Sequence, residues 1–175
     1  MTSEDQPGRG PVAVTELPLE ARFSLRCRPD GRSAIAAGLG VSLPDRISAV
    51  ATKGSRRALC LGPDEWQIDT TAADARVVLG AMAAQKTAHS LVDITDREVT
   101  WRLSGEKATE LLSAGIARDL SRIAPHCGSR TVFDGVQAIL FRESETDWTL
   151  SVWRSFAPHA RHLIDTVNEE LVSGL

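Results

Sequence analysis

The segment from Glu98 to Leu103 constrains the fold more than any other part of the sequence, because polar and apolar residues alternate along it without interruption. Val99, Trp101 and Leu103 fall on one side of an extended chain, and the polar residues between them fall on the other. Alternation with a period of two residues is typical of a strand with one buried face. The chain is therefore predicted to contain a β-sheet that is half-buried.

Two turns predict hairpins. In the run Gly62-Pro63-Asp64-Glu65, the proline presets the backbone dihedral angle at the second position of a type I turn. The strands predicted on either side of this turn cover residues 57–61 and 66–70. The pair Asp134-Gly135 lies between two short apolar segments and is a strong signal for a second hairpin. Alternating residues predict further strands over 23–27 and 148–152.

Three segments have the spacing of amphipathic helices. Thr71 and Asp74 have the separation of a capping box at the start of the first helix. Ser104 is predicted to cap the second helix, and Gly115 to end it because glycine readily adopts left-handed dihedral angles. The third helix is predicted to begin near Ser155. The apolar faces consist of Ala75, Val78, Leu79 and Met82; of Ala108, Leu111 and Leu112; and of Ala160, Leu163, Ile164, Val167 and Leu171.

Strands in pairs and triples, interrupted by three amphipathic helices, predict an α+β fold with a mostly antiparallel sheet. The two halves have similar outlines, and their strand and helix orders are typical of ferredoxin-like units. Residues 35–44 predict either a loop or an irregular turn of helix, and both alternatives stay open. Residues 1–20 predict a flexible N-terminal arm, or one that orders only against a partner, and residues 21–175 predict a single domain.

Composition excludes several classes of function. The chain has 175 residues, 42% of them hydrophobic, which is enough to bury a core without disulfides or metals. Its net charge of -3 comes without a basic cluster, so nucleic acid is not an expected partner. No apolar segment is long enough for a membrane span, and no signal peptide is recognisable. Cys27, Cys60 and Cys127 are odd in number and far apart, which predicts a reducing, cytoplasmic location.

Residues that could support catalysis lack the partners that catalysis requires. His159 and His162 lie three positions apart on the last predicted helix, but no matching set of metal ligands accompanies them. His126 and Cys127 are adjacent, and no third group that could orient them is identifiable. No glycine-rich loop follows a strand, so the chain alone is predicted to bind neither FAD nor NAD. The sequence therefore predicts no catalytic, cofactor or metal site, apart from one residue considered below.

The four tryptophans divide into two groups. Trp66, Trp101 and Trp148 fall on the apolar phase of predicted strands, so we expect them in the core. Trp153 breaks the phase of its strand and is followed by Arg154. Tryptophan and arginine are enriched at the energetic centres of protein interfaces. We therefore predict that Trp153 and Arg154 contact a partner.

The order of several motifs resembles the gamma subunits of heterotetrameric sarcosine oxidases, in the folate-binding aminomethyltransferase-like domain family. The resemblance covers residues 59–171. It departs from the family after Asp93-Ile94, where a Ser-His-Arg-Gln-like run is usual and this chain has Thr95-Asp96-Arg97-Glu98. This departure leaves open the alternative that the chain belongs to a sister complex that acts on a different N-methyl amine. The motifs are Leu61-Gly62-Pro63-Asp64-Glu65-Trp66, Asp93-Ile94-Thr95-Asp96-Arg97, Leu103-Ser104-Gly105, Leu111-Leu112, Asp119-Leu120, and the run from Leu150 to Ala157.

The resemblance implies a folate-binding-type domain that acts as an accessory subunit beside alpha, beta and delta subunits. In such a complex the alpha subunit would carry NAD and the tetrahydrofolate site, the beta subunit FAD, and FMN would be attached between them. The complex would oxidise sarcosine or a related N-methyl amine with oxygen. The products would be glycine, hydrogen peroxide, and formaldehyde or methylenetetrahydrofolate. The gamma chain itself would hold no complete active site.

Asp119 is the one catalytic candidate. In the aminomethyltransferases the acid that follows the helix contacts the folate amine, and Asp119 matches that place. This chain lacks the glycine-rich, doubly acidic segment that follows there, so a structural role is also open: capping the turn, or pairing with Arg118 or Arg122. Two rival functions follow: a stand-alone folate-dependent aminomethyltransferase-like enzyme, or a folate-binding iron-sulfur cluster maintenance protein. The latter normally carries a Lys-Gly-Cys-Tyr-like loop, and this chain has no tyrosine.

Overall fold

The computed structural model describes residues 10–18 and 20–173, which form two compact units. Unit 1 takes residues from both ends of the chain, up to Pro18 and from Arg97 onward, and unit 2 is the continuous segment that ends at Asp96. The sequence predicted one domain over residues 21–175, without this division. Elements are numbered along the whole chain.

The described residues contain ten strands and four α-helices. The strands are β1 (Ala13–Glu16), β2 (Ala21–Cys27), β3 (Val50–Lys53), β4 (Arg56–Gly62), β5 (Glu65–Thr70), β6 (His89–Asp93), β7 (Glu98–Ser104), β8 (Cys127–Phe133), β9 (Val136–Arg142) and β10 (Asp147–Trp153). The helices are α1 (Arg32–Leu39), α2 (Ala72–Ala83), α3 (Ala108–Ser113) and α4 (Ala157–Ser173).

Each unit contains one five-stranded sheet in which every neighbouring pair is antiparallel. The strand order is β3-β4-β5-β2-β6 in unit 2 and β8-β9-β10-β7-β1 in unit 1. In both units a strand and helix are followed by three strands and a second helix. Four strands of each sheet have the ferredoxin-like order, and β3 or β8 adds an outer strand. The predicted α+β fold with antiparallel sheets is confirmed.

The closing strand differs between the units. In unit 2 it is β6, which follows α2 directly, whereas the equivalent place in unit 1 is taken by β1 from the start of the chain. β1 pairs with β7 from Ala13 opposite Ser104 to Glu16 opposite Trp101. Val12 and Val14 are buried in the core of unit 1. The prediction of a flexible arm is therefore wrong for residues 12–16; residues 1–9 lie outside the described part.

Unit 2 confirms the first hairpin and resolves the ambiguous segment beside it. β4 and β5 pair on either side of the Pro63 turn. The side chain of Thr71 accepts a hydrogen bond from the backbone N–H of Asp74 and caps α2 as predicted. Residues 35–39 belong to a true helix, α1, which ends at Leu39 and is followed by Gly40 in a left-handed conformation (φ 68°). Leu79 is exposed, so its predicted place on the buried face of α2 is wrong.

Unit 1 confirms the alternating strand and the second hairpin. Val99, Trp101 and Leu103 of β7 are buried on the side of the sheet that packs on α3 and α4. Asp134 and Gly135 both have positive φ angles, 44° and 81°, between β8 and β9. Positive angles at both central residues are the requirement of the type I′ turn, a two-residue hairpin turn whose twist matches that of the strands.

Two predictions about the ends of α3 are wrong. Ser104 does not cap the helix, because its hydroxyl donates to the carboxylate of Asp147 on the neighbouring strand, at 2.5 Å. The helix begins four residues later, at Ala108. Gly115 follows the helix but has no positive φ angle. A Cβ at this position would lie 2.5 Å from the ring of Phe133, so the glycine is required by close packing instead.

Each unit has its own hydrophobic core between its sheet and its helices. The core of unit 2 is built around Phe23, Leu25, Ile35, Trp66 and Ile68. The core of unit 1 is built around Trp101, Leu103, Leu112, Phe133, Trp148 and Ile164. The three tryptophans predicted to be core residues are therefore confirmed as such.

Candidate functional site

The most prominent exposed group in unit 1 is an aromatic pair at the end of β10. Trp153 is 40% exposed and Phe156 is 41% exposed. Their rings stack with centroids 6.4 Å apart and an angle of 29° between the planes. The guanidinium carbon of Arg97 lies 5.7 Å from the centroid of the Trp153 ring, within cation–π range. We call Arg97, Trp153 and Phe156 the aromatic corner.

Both rings lie where β10 ends. Trp148, Leu150 and Val152 face the core, and Trp153 falls on the opposite side of the strand with Thr149 and Ser151. Thr149 and Ser151 are buried, so Trp153 is exposed as the last residue of the strand and not because of its phase. A 3₁₀ turn, Arg154–Phe156, then leads into α4 and brings Phe156 beside Trp153. The sequence prediction identified Trp153 and its exposed neighbour Arg154 from the break in the apolar phase, but it did not identify Phe156.

The charge of Arg97 is balanced within unit 1. Its Nε and Nη2 atoms donate to Glu98 Oε1 at 3.3 and 2.8 Å. The side chain of Glu98 is only 2% exposed, and Glu98 lies directly opposite Trp153 in the pairing of β7 with β10. A buried carboxylate requires such a partner, because an isolated charge is costly to remove from water. Glu98 therefore holds the guanidinium that covers Trp153.

Asp119 caps a turn. Its carboxylate accepts hydrogen bonds from the hydroxyl and the backbone N–H of Ser121, at 2.6 and 3.1 Å, at the start of the 3₁₀ turn Leu120–Arg122. The hydrogen bond from the Ser121 hydroxyl, with smaller help from the backbone N–H and the Arg122 charge, lowers the pKa of Asp119. A general base acting near neutral pH would need a raised pKa. The predicted capping role is observed.

The histidines form no metal site with their neighbours. His159 Nε2 lies 2.9 Å from Asp134 Oδ2 in the β8–β9 turn, so it forms an exposed pair within unit 1. His162 is also exposed. In the described part of the chain, no group of three or more histidine, cysteine or acidic side chains could hold a metal ion. No helix in that part is long and apolar enough to cross a membrane.

The sequence analysis missed a polar cluster in unit 2. Asp69 on β5 accepts hydrogen bonds from Arg22 (2.9 Å), from Arg57 (3.1 and 3.3 Å) and from Gln67 (3.0 and 3.3 Å). Burial raises the pKa of Asp69, but the two arginines outweigh burial and lower it overall. The carboxylate is thereby held ionised with both oxygens occupied, which suits a structural acceptor.

A β-bulge explains why this cluster could not be predicted from the turn. Extending the pairing of Gly62 with Glu65 along the hairpin would place Ala58 opposite Asp69. The register instead shifts by one residue between Cys60 and Gly62, which brings Arg57 opposite Asp69. Nothing in the residue pattern marks that bulge.

Asn168 on α4 is a second residue that the sequence analysis missed. Its Oδ1 accepts from the backbone N–H of Val12 at 3.0 Å, and its Nδ2 donates to the Val12 carbonyl at 2.9 Å. The side chain is 2% exposed and lies among the apolar stripe of the helix. It fastens the segment before β1 to the last helix. A polar residue in an apolar stripe is the signal that could have identified it.

The geometry can be compared with known proteins. The chain is 27% identical to the sarcosine oxidase subunit gamma of Corynebacterium sp. (strain U-96), over 97% of this chain and 85% of that protein. It is 28% identical to the subunit of the same name from Arthrobacter sp., over 91% and 82%. No protein-family model matches the chain.

Solved structures give the same relationship. A chain of the heterotetrameric sarcosine oxidase from Corynebacterium sp. U-96, in complex with pyrrole 2-carboxylate, superposes with a TM-score of 0.83 and 26% identity, over 91% of this chain and 85% of that one. The glycine cleavage system aminomethyltransferase T from Bartonella henselae superposes with a TM-score of 0.67. Its identity is 10%, over 90% of this chain and 46% of that one, so the likeness concerns the fold alone.

The fold is that of the aminomethyltransferase-like α+β proteins. Within this class, the chain is similar to sarcosine oxidase gamma subunits in both sequence and fold, over nearly its whole length. The resemblance predicted from the order of the motifs is thereby confirmed.

Proposed function

We propose that this chain is the accessory gamma subunit of a heterotetrameric, flavin-dependent oxidase of the sarcosine oxidase type. The observation that carries the proposal is the similarity to gamma subunits along almost the entire chain, together with the TM-score of 0.83 against a chain of a heterotetrameric enzyme. The partners are the alpha, beta and delta subunits of the complex. We propose a cytoplasmic location, which the three free cysteines support.

The complex would oxidise sarcosine or a related N-methyl amine. In the overall reaction, sarcosine, oxygen and water would give glycine, formaldehyde and hydrogen peroxide. With tetrahydrofolate present, sarcosine, oxygen and tetrahydrofolate would give glycine, methylenetetrahydrofolate and hydrogen peroxide, without net consumption of water. FAD, FMN, NAD and tetrahydrofolate would be held by the other subunits. The gamma chain would supply contacts: its one catalytic candidate, Asp119, serves as the cap of a turn.

The partner-facing residues of the proposed subunit are Trp153 and Arg154, at the junction between β10 and α4. An exposed tryptophan beside arginines has the composition of an interface centre. Permanent interfaces commonly bury more than roughly 2,000 Å² in total. The aromatic corner would then be one part of a larger contact.

Affinity purification of this chain from cells that express all the proposed subunits tests the proposal. We expect it to co-purify in fixed stoichiometry with two larger flavin-bearing chains, and the complex to form hydrogen peroxide from sarcosine. The chain purified alone should be colourless. A stable monomer, with the other subunits assembled into an active oxidase without it, would contradict the proposed function. A stoichiometric yellow chromophore on the isolated chain would contradict the cofactor assignment.

A further inference from the structure

The aromatic corner combines exposed apolar area with a charge that is already neutralised. The only formal charge among its three side chains is that of Arg97, and the buried carboxylate of Glu98 pairs with it at 2.8 Å. The guanidinium covers one side of Trp153, and Phe156 stacks beside the same ring. Removing an unpaired arginine from water is costly, whereas a pair that carries its own counter-charge loses less hydration when a partner covers it.

Because the charge of Arg97 is already paired, the aromatic corner favours one kind of partner group over another. A surface whose arginines lacked counter-charges would select an acidic partner segment, because complementary charges steer association. Arg97 needs no carboxylate from outside, because Glu98 already pairs with it. Its two rings offer contact area to apolar side chains, and stacked or edge-to-face aromatic contacts add to simple burial. The paired charge of Arg97 and the two exposed rings therefore favour an apolar occupant.

We infer that the aromatic corner docks an apolar side chain of a larger subunit of the complex, inserted against the rings of Trp153 and Phe156. This inference rests on the proposed function and deepens it, because it names the chemistry of the contact. Arg97 acts as a positioning residue: it holds the face of Trp153 and takes its own orientation from Glu98. A second copy of this chain and an acidic segment are the competing occupants, and the test below separates them.

A competition assay measures the contact in the assembled enzyme. Tagged larger subunits are co-expressed with equal amounts of the original chain and a Trp153→Ala variant, and the ratio incorporated is read by intact mass spectrometry. If Trp153 lies at the centre of the contact, its truncation should reduce relative incorporation by about 30-fold, which corresponds to about 2 kcal/mol. Val132→Ala is the matched control, since Val132 is a 54% exposed apolar residue on β8 of the same unit. We expect the control to be incorporated like the original chain.

Salt separates an apolar occupant from an acidic one. The competition is repeated in low and in high sodium chloride, and the disadvantage of Trp153→Ala should be unchanged, because screening weakens contacts between exposed charges far more than apolar contacts. A disadvantage that disappears at high salt would overturn the inference in favour of an acidic segment. Sedimentation of the free chain would identify a second copy as occupant if it showed a dimer that Trp153→Ala abolishes.

The outcomes also separate this inference from the proposed function. If neither the original chain nor the control enters the complex, the proposed function fails. If the original, the control and Trp153→Ala enter equally, the chain is a subunit but the corner is not its docking site, and only the inference is overturned. Thermal unfolding of each free variant verifies that the differences do not come from misfolding.

Discussion

The two units have the same strand order and differ in how the fifth strand is supplied. Unit 2 is continuous and closes its sheet with β6, the strand that follows its second helix. Unit 1 closes its sheet with β1, and the Asn168 side chain holds Val12 across a separation of 156 residues. In unit 2 the closing strand pairs with β2 inside one continuous segment, whereas β1 pairs with β7 with the whole of unit 2 between them in sequence, so closing the sheet of unit 1 brings together more distant segments. The comparison shows that sheets with the same strand order can be closed by a strand nearby in the sequence or by one that is very distant.

Removing β1 should have the largest effect on this comparison. Deletion of residues 1–17 takes the buried side chains of Val12 and Val14 out of the core and leaves the edge of β7 without its partner. We expect unit 1 to lose at least about 3 kcal/mol of stability, because burying each valine contributes about 1.5 kcal/mol or more. Unit 2 should keep its own unfolding transition. Hydrogen exchange measures both units in one sample.

A peptide supplied in trans sharpens the same test. A synthetic peptide of residues 10–18 should restore slow exchange in β7 of the truncated chain, since it provides the missing strand. If β7 exchanges as slowly after deletion as before, β1 is dispensable and the comparison between the units fails.

Asn168→Ala should have the next largest effect. The substitution leaves the buried N–H and carbonyl of Val12 without these partners. Each buried group left unsatisfied costs about 1–3 kcal/mol, so we expect the free energy of unfolding to fall by about 3 kcal/mol. Glu169→Ala, on the exposed side of the same helix, is the control and should change stability little. Denaturant unfolding gives both values, and equal effects of the two substitutions would contradict the anchoring role.

Acid should weaken unit 2 through Asp74. The Arg56 guanidinium donates twice to this carboxylate, at 2.6 Å each, and also donates to the Leu39 carbonyl at the end of α1. These hydrogen bonds, that of Arg56 foremost, hold the pKa of Asp74 well below its usual range. A lowered folded-state pKa contributes stability that is present above the unfolded pKa of about 4 and is lost as pH falls through the folded pKa.

Asp74→Asn should therefore lower the melting temperature of unit 2 at pH 7 and have progressively less effect as the pH falls below about 4. Glu110→Gln is the comparison in unit 1, because Glu110 forms an exposed pair with Lys107 and such pairs contribute little. Its melting temperature should follow that of the original chain. If the melting temperatures of Asp74→Asn and the original chain differed by the same amount at every pH, the proposed stabilisation by the hydrogen bonds between Arg56 and Asp74 would be contradicted.

Asp119→Asn should have the smallest effect. An asparagine side chain can still accept the hydrogen bonds from Ser121 that define the cap. Amine oxidation by the assembled complex should stay within a few-fold of the original rate, because loss of a true general acid or base costs about 10²–10⁴-fold. A decrease of that larger size with intact assembly would support the folate-enzyme rival.

Short-range patterns in the sequence predicted most of the elements. The alternation of β7, the turns at Pro63 and Asp134-Gly135, and the Thr71 cap depend on neighbouring residues, so they could be identified without knowing the fold. Trp153 was identified because it breaks a local phase.

Long-range relationships could not be predicted. β1 was taken for part of an arm because its four residues have no partner nearby in the sequence, and its partner β7 begins at Glu98. The Asp69 cluster depends on a bulge that changes the register of a hairpin. Ser104 was assigned the wrong hydrogen-bond partner, because Asp147, to which it donates, lies on a strand that pairs with its own. In each case the deciding contact is between residues far apart in sequence.

Oxidative footprinting of the four tryptophans tests the central claim most directly, namely that this chain works as a subunit through the aromatic corner. Trp66, Trp101 and Trp148 are buried and serve as internal references, whereas Trp153 is 40% exposed. In the free chain, hydroxyl radicals should modify Trp153 much faster than the other three. In the assembled oxidase, its modification should slow to the level of the buried tryptophans. An unchanged rate at Trp153 in a complex that contains the chain would contradict the account.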